Sequence, residues 1–261
     1  MKRDGGRKAL DLRPVTLEPD PVPHAEGSCL VTQGRTKVLV TASVEGRVPP
    51  FLRDKGLGWV TAEYGMLPRA THERTPREAA RGKQQGRTVE IQRLIGRALR
   101  GVVDRTRIPD LTFTLDCDVL VADAGTRCAS VTGAFVALAL AASRLHGEGR
   151  IALNPFREAV AAISVGMAGG GDDRDARKVL LDLDYSEDST AEVDLNVIGT
   201  SGGRFVEVQG TAEGIPFSEE DLAEMLAAAR KGLKKLFVSQ RDVMDGRLPK
   251  GWTLAAPQPT L

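Results

Sequence analysis

One stretch of the sequence, VTGAFVALALAAS at residues 131–143, has almost no polar side chains. It is too long for a single strand, and as a helix it is apolar nearly all round. Such a helix has no face for water, so other layers of structure must cover it. The preceding stretch, LTFTLDCDVLVAD from Leu111, alternates apolar and polar residues as a strand with one polar face does. Together they predict a strand followed by a helix buried between layers.

Three further elements are predicted in the first half of the chain. GSCLVTQGRTKVLVTASVEG alternates apolar and polar residues around a QGR turn and predicts a hairpin with one buried face. WVTAEYGML, which begins at Trp59, predicts a third strand. TVEIQRLIGRALRGVV, which begins at Thr88, places its apolar residues on one helical stripe and predicts an amphipathic helix.

The second half begins after GEGRIALNP, a connector that contains Gly and Pro. Beyond it AVAAISVGM, VLLDLDYSE, AEVDLNVIG and GRFVEVQGTA predict four successive strands. Ser218, followed by three acidic residues, is a predicted N-cap for a helix that reaches residue 240. We therefore predict an N-terminal half at residues 1–148, a C-terminal half at residues 149–241 and a Pro-rich tail at residues 242–261.

The charges are unevenly distributed along a chain whose net charge is only +1. Residues 69–107 contain eleven Arg or Lys and four acidic residues, an excess of seven positive charges. A solvated face or a subunit contact would explain this block. However, its first part, RATHERTPREAARGKQQGRT, contains no aromatic residue and little that could form a core. A surface that follows the phosphates of a nucleic acid explains the block equally well.

Residues 182–194 contain six acidic residues and no basic one. Asp182 and Asp184 are two apart on a predicted strand and therefore share a face. Clustered carboxylates of this kind can hold Mg²⁺ through a few oxygens while the substrate supplies the rest. An acidic edge strand that discourages aggregation is the alternative explanation, favoured if the segment stood alone.

Gly125, Thr126 and Arg127, here called the GTR turn, lie where the predicted strand ends and the buried helix begins. Backbone N–H groups, a hydroxyl and a guanidinium can meet there, which is a phosphate-binding arrangement. A threonine cap with an exposed arginine explains the turn equally well. Arg87 supports the phosphate site, because it also lies just before a predicted helix. The GKQQGR sequence there is not a Walker A loop.

Several kinds of chemistry are not indicated by the sequence. It contains no GxSxG elbow and no Cys-His pairing, and its three histidines lack ligand spacing. The three cysteines lie far apart, so a reducing, cytoplasmic setting without disulfides is expected. The N-terminus is charged, and no segment approaches the roughly 18 apolar residues of a membrane span. We therefore expect a soluble protein with no membrane association.

The chain strongly resembles the ribonuclease PH family of phosphate-dependent 3′ exoribonucleases from about residue 13 to about residue 240. The segments that carry the resemblance are PPFLRDKGLGWVTAEYGMLPRATHERTPREAARGKQQGRTVEIQRLIGRALR, LDCDVLVADAGTRCASVTGAFVALA, LDLDYSEDSTAEVDLNVI and VEVQGTAEG. The resemblance implies a duplicated α/β fold of the ribosomal-protein-S5-domain-2-like type, with mixed sheets and packed helices, assembled as a homohexamer of three dimers. The resemblance also implies the reaction.

In that reaction inorganic phosphate would attack the last phosphodiester of an RNA 3′ end, as in tRNA precursors, and release a nucleoside diphosphate. The reverse reaction adds nucleotides.

The resemblance also assigns roles to residues. It implies that Arg87 and the GTR turn bind phosphate, and that Asp182 and Asp188 form an acidic pair for Mg²⁺. Asp188 would also help to protonate the leaving oxygen. The family's basic loop, which is expected to hold the tRNA backbone away from the catalytic centre, corresponds to Arg69, Arg74, Arg77 and Arg81. Phosphate is then the nucleophile, so no serine, cysteine or histidine nucleophile is needed.

Two residues depart from the family pattern, Ala124 and Cys128, which stand where Gly and Thr are expected. Ala124 would slightly reshape the backbone at the GTR turn, whereas Cys128 is small enough to have no effect on function. Two alternatives fit the sequence less well. Polynucleotide phosphorylase performs the same chemistry, but it carries two such modules, for which 261 residues leave no room. A catalytically silent RNA-binding subunit of an exosome-like ring would have lost the phosphate arginines or the acids, and this chain keeps them.

Overall fold

Two β-sheets lie on either side of one long helix in the computed structural model, which describes residues 3–170, 177–252 and 254. The strands of the first sheet are β1 (Val15–Pro19), β2 (Gly27–Gln33), β3 (Thr36–Glu45), β4 (Trp59–Met66) and β5 (Thr112–Val121). Those of the second are β6 (Val160–Ala168), β7 (Lys178–Leu181), β8 (Val193–Thr200) and β9 (Phe205–Ala212). The helices are α1 (Glu78–Arg81), α2 (Gly86–Val102), α3 (Thr126–Gly147), α4 (Tyr185–Asp188) and α5 (Glu219–Met244).

The first sheet is mixed and the second is antiparallel. The strand order of the first is β1-β2-β3-β5-β4, and only β4 and β5 run parallel, because α2 lies in the connection between them. The order of the second is β7-β6-β8-β9. This is the mixed α/β architecture that the sequence predicts. The first strand, β1, was not predicted, and it pairs with β2 at the edge of the sheet with only half-buried apolar residues.

Helix α3 is the buried helix predicted from the apolar run. It packs against β2 and β3 of the first sheet and against β6 of the second, and 17 of its 22 residues are buried. Gly133 allows this close approach, because a side chain there would collide with Val31 of β2. The expectation that no segment is long and apolar enough to span a membrane is wrong for α3. However, 89% of its most apolar window is buried inside the protein, as in a core helix.

Three predicted boundaries differ from the structure. Helix α2 begins at Gly86 rather than Thr88, so Arg87 lies inside the helix instead of before it. Strand β7 ends at Leu181, and Asp182 has a left-handed backbone with φ 56°. Asp182 and Asp184 therefore do not share the face of a strand. Helix α5 continues to Met244, which is buried, so the first residues of the predicted tail belong to this helix. Residues 255–261 lie outside the described residues.

The three cysteines are free and buried. Burial raises the pKa of the Cys29 thiol to about 12, so it stays protonated at neutral pH.

The proposed division into halves at residues 1–148 and 149–241 stays a prediction. In the structure the first sheet ends at Val121 and the second begins at Val160, and α3 packs against both.

Candidate active site

Two arginines occupy the same position at the starts of two helices. Arg87 is the second residue of α2, and Arg127 is the second residue of α3. Neither helix has a side-chain cap, because the N-cap residues Gln85 and Gly125 make no capping hydrogen bond. The free N–H groups and the positive end of each helix dipole therefore lie beside a guanidinium, an arrangement that favours an anion.

The GTR turn is held from both sides. Ala124 and Gly125 both have left-handed backbones, with φ 57° and 66°, and these angles redirect the chain from β5 into α3. The Thr36 hydroxyl donates to the Ala124 carbonyl at 2.7 Å. The Thr126 hydroxyl lies 2.9 Å from the hydroxyl of Tyr64, a buried residue of β4. The turn is therefore fixed before any ligand arrives.

Arg127 links three elements of the site. Its guanidinium donates to the side-chain oxygen of Gln209 on β9 and lies 3.6 Å from a carboxylate oxygen of Glu90 on α2. Gln209 in turn donates to Glu90 at 2.8 Å. Arg87 is exposed, and its charge acts on the same region. Burial raises the pKa of Tyr64, against the lowering effects of the Thr126 hydrogen bond and of the Arg87 and Arg127 charges.

The charges of Arg87 and Arg127 also act on two carboxylates from the second half of the chain, Asp188 and Asp194. Asp188 ends α4 and Asp194 lies on β8. Burial raises the pKa of Asp188, although Arg87 and Arg127 oppose the rise. Burial and the negative charge of Asp188 both raise the pKa of Asp194, again against the two arginines. Both carboxylates therefore lie within electrostatic reach of the GTR turn.

Asp182 does not join this pair. It is fully buried, and Arg13 donates to its Oδ1 through Nη2 at 2.6 Å and through Nε at 3.1 Å. Gln33 also donates to Oδ1, and the Arg13 backbone N–H donates to Oδ2. Oδ1 accepts three of these bonds and Oδ2 accepts one, so Arg13 and Gln33 engage most of the acceptor sites of the carboxylate. This geometry does not favour Asp182 as a metal ligand, and its pairing with Asp188 stays a prediction.

Family models and named relatives match almost the whole chain. A family model described as 3′ exoribonuclease family, domain 1, matches residues 11–143, and the domain 2 model of the same family matches residues 158–232. The chain is 54% identical over 248 residues to a protein named Ribonuclease PH from Bacillus subtilis. That alignment covers 95% of this chain and 99% of the relative. The Ribonuclease PH of Bacillus velezensis matches with the same identity and coverage.

The chain belongs to the 3′ exoribonuclease family.

Solved structures share the fold of this 3′ exoribonuclease family chain at low sequence identity. An Archaeoglobus fulgidus exosome with RNA bound to the active site matches with a TM-score of 0.75 and 22% identity, over 91% of this chain and 92% of that one. Rice (Oryza sativa) Rrp46 matches with a TM-score of 0.72 and 18% identity, over 92% and 98%. At these identities the likeness shows the fold alone.

The residues of this exoribonuclease fit a divalent cation in a two-carboxylate site. Asp194 Oδ1 is buried and has no hydrogen-bond partner among the described residues, so this oxygen is free to accept one. No group of three or more acidic, histidine or cysteine side chains that could hold a metal ion is found in the described part of the chain. Mg²⁺ needs no such group, because it is commonly held by one or two carboxylates together with substrate phosphates and water.

Asp194 is not singled out by the sequence, where it is one of the six acidic residues of the segment 182–194. A signal was available: Asp194 interrupts the apolar residues of a strand whose neighbours Val193 and Leu195 are buried. Its Oδ2 accepts a hydrogen bond from Asn196 at 3.1 Å. The Cys128 thiol donates to Asn196 Oδ1 at 3.2 Å. Cys128 thus supplies the donor that a threonine hydroxyl would supply, and it ties the start of α3 to Asp194.

Asp123, whose role the sequence left open, is a buried junction in this exoribonuclease. Its carboxylate accepts hydrogen bonds from Arg35 at 3.1 and 3.2 Å, and one from the backbone N–H of Tyr185 at 3.3 Å. Its backbone carbonyl accepts a hydrogen bond from Arg13. Asp123 therefore connects the segment just before the GTR turn to α4, the helix that carries Asp188.

The predicted RNA-binding arginines lie in a separate exposed segment. Here called the basic loop, residues 69–81 connect β4 to α2 and include the short helix α1. The four predicted arginines are all exposed, and none of them forms an ion pair with another described residue: Arg69, Arg74, Arg77 and Arg81. Their charges are therefore available to a polyanion, and they are not part of the buried networks around the GTR turn.

Proposed function

We propose that this chain shortens RNA 3′ ends by phosphorolysis at the site formed by α2, α3, α4 and β8. The class of reaction is that of its family, a phosphate-dependent 3′-to-5′ exoribonuclease with a nucleotidyltransferase-type activity. One observation carries the residue assignments: two arginines at uncapped helix starts act electrostatically on two half-buried carboxylates, Asp188 and Asp194.

Phosphate is bound by Arg87, Arg127 and the GTR turn. The guanidinium groups supply charge and paired N–H donors, while the first turn of α3 supplies backbone N–H groups and its dipole. The Thr126 hydroxyl, held by Tyr64, supplies one more donor. Because Gln209 and Glu90 hold Arg127 in place, little reorganisation is needed when the anion binds.

In the reaction, an oxygen of the bound phosphate forms a bond to the phosphorus of the last phosphodiester. The bond between that phosphorus and the 3′ oxygen of the preceding nucleotide breaks, and the electron pair stays on this leaving oxygen. The leaving oxygen takes up a proton, and Asp188, the last residue of α4, is the group that assists this transfer. The products are a nucleoside 5′-diphosphate and an RNA shorter by one nucleotide. The same steps in reverse add a nucleotide.

Asp188 and Asp194 would hold a divalent cation such as Mg²⁺, which supplies positive charge to the phosphate oxygens when it is bound. Asp182 has a different role in this proposal. Through Arg13 it anchors the loop that leads into the GTR turn, because Arg13 also donates to the Asp123 carbonyl. Asp182 is therefore a positioning residue in this site.

The substrates in this proposal are the 3′ ends of tRNA precursors, with the basic loop holding the RNA backbone. The experiment uses a 3′-extended tRNA, Mg²⁺ and phosphate, with the product separated by chromatography. Nucleoside diphosphates that appear only with phosphate would support the proposal. Monophosphates formed equally well without phosphate would reject it, and no product at all would favour a catalytically silent RNA-binding subunit.

The carboxylates are distinguished by three matched variants in the same assay: Asp182→Asn, Asp188→Asn and Asp194→Asn. Asp188→Asn and Asp194→Asn should weaken binding of Mn²⁺, measured directly by titration calorimetry, as well as turnover. Asp182→Asn should lower thermal stability and leave metal affinity nearly unchanged. A loss of Mn²⁺ affinity in Asp182→Asn alone would reject the assignment of Asp188 and Asp194.

We also propose that the protein works as a homohexamer made of three dimers. Large apolar side chains are exposed on the single chain, including Phe51 at 57% and Leu153 at 60%, and such side chains are available for contacts between subunits. Sedimentation velocity with and without phosphate tests this assembly, and a monomer under both conditions would reject it. A cytoplasmic location stays a prediction.

A further inference from the structure

Tyr185 is an exposed aromatic residue beside the catalytic carboxylates to which neither the mechanism nor the family match gives a role. The chain has only two tyrosines, and Tyr64 is buried, whereas the Tyr185 side chain is 54% exposed. Tyr185 is the first residue of α4 and Asp188 is the last. Residues three apart on a helix are neighbours on its surface, so Tyr185 and Asp188 lie on the same side of this turn.

The turn that carries Tyr185 is firmly held. Its N-cap Asp184 and Glu187 form a capping box, and Arg3 and Arg7 form ion pairs with these two acids. The Tyr185 backbone N–H donates to the Asp123 carboxylate, so Tyr185 lies close to the GTR turn. An exposed ring mounted on a rigid turn loses little freedom when a ligand covers it.

The Tyr185 ring also lies near the basic loop. The imidazole of His72 lies 6.0 Å from the Tyr185 ring, with the two planes inclined at 60°. Arg69 donates to the His72 backbone carbonyl at 3.1 Å, so this contact belongs to the arginine-bearing segment. Tyr185 thus lies between the residues that would hold the RNA backbone and the residues that would act on the last phosphodiester.

We infer that Tyr185 is a stacking platform for a nucleobase next to the bond that is broken. An RNA that runs from the basic loop to Asp188 passes this ring, and flat aromatic rings bind unpaired bases by stacking whatever the base. The inference rests on the proposed function, because it requires the RNA 3′ end at Asp188. It adds a subsite that binds a nucleobase to a site whose other residues bind phosphate groups.

The kinetic test compares Tyr185→Phe, Tyr185→Leu and the wild type in the phosphorolysis assay. Phenylalanine keeps a flat ring, so its KM for RNA should stay within about twofold of the wild type. Leucine keeps apolar bulk without the ring, so its KM for RNA should rise on the order of tenfold. The KM for phosphate should not change in either variant. Tyr185→Phe is therefore the matched control for Tyr185→Leu, because the two variants differ in whether the flat ring is kept.

The second arm uses RNA that lacks one base, at either the last or the second-last nucleotide. At the position that stacks, the missing base should weaken wild-type binding on the order of tenfold and should barely affect Tyr185→Leu. Equal sensitivity of the wild type and Tyr185→Leu at both positions would overturn the inference, as would an unchanged RNA KM in Tyr185→Leu. A wild type that turns over no RNA with phosphate would instead reject the proposed function.

Discussion

Arg3 and Glu187 form a buried ion pair although 184 residues separate them in the sequence. Arg3 Nε lies 2.7 Å from Glu187 Oε1, and Nη2 lies 2.9 Å from Oε2. The same guanidinium also donates to the carbonyls of Leu181 and Asp182. The N-terminal segment therefore holds the turn on which Asp188 is presented.

Replacement of Arg3 by alanine should destabilise the protein. The change leaves the Glu187 carboxylate buried without its main partner, and breaking a buried pair in this way costs about 3 kcal/mol. Urea unfolding measures the loss, and turnover should fall because α4 is no longer held. Arg47→Ala, which removes an exposed pair with Glu45, serves as the control. It should cost less than about 1 kcal/mol, and an equal loss in both variants would contradict a special role for Arg3.

The stability that Glu187 contributes should depend on pH in a defined direction. Burial raises its pKa, but hydrogen bonds from Arg3 and from the Asp184 N–H, with the charges of Arg3 and Arg7, outweigh this and leave the pKa below its usual range. The contribution is therefore complete above the ordinary glutamate pKa of about 4.3 and is lost as the pH falls through the lower folded-state value. The difference in unfolding free energy between the wild type and Glu187→Gln should be constant near neutral pH and shrink as the pH falls below the ordinary glutamate pKa of about 4.3. A difference that does not change with pH would contradict this prediction.

Ala124 and Gly125 are neighbours at the GTR turn, and the protein should be more stable with glycine than with alanine at either position. Ala124 has a φ of 57°, which glycine adopts without strain, so Ala124→Gly should raise stability by about 0.5 to 1 kcal/mol. Gly125 also has a positive φ, and a Cβ there would lie 3.1 Å from Arg13 Nη2. Gly125→Ala should therefore lower both stability and phosphate affinity. Thermal unfolding with and without phosphate measures both effects, and a change of the same sign in both variants would refute the strain assigned to Ala124.

Arg127 and the arginines of the basic loop should affect different quantities, namely turnover for Arg127 and tRNA affinity for the basic loop. Arg127→Ala should reduce turnover by about 100-fold or more, because a preorganised donor to the phosphate is lost, while tRNA affinity stays nearly intact. Replacement of Arg69, Arg74 and Arg77 together should instead weaken tRNA binding. It should also reduce the dependence of log affinity on log salt by roughly one per arginine. Filter binding at several salt concentrations, with turnover at saturating RNA, distinguishes the two. Equal loss of tRNA affinity in both would reject the division.

Much of the fold could be predicted because it depends on local patterns. The apolar run after the GTR turn could only be a helix covered on all sides, and α3 is such a helix. The alternation from Leu111 predicted β5, and Ser218 does cap α5 through a capping box with Asp221. Strand β1 was missed because its few apolar residues are only half-buried, so burial leaves a weak signal in its sequence.

The sequence by itself determined the layered α/β fold, the buried helix and the presence of arginines at two helix starts, because periodicity and residue type decide these features locally. Only the tertiary structure decided which acids face those arginines. Asp182 and Asp194 are equally acidic in the sequence, but Asp182 is neutralised by Arg13 from the N-terminal segment, whereas Asp194 keeps a buried oxygen without a partner. The partners of a carboxylate come from distant segments, so its role depends on contacts that no local pattern records.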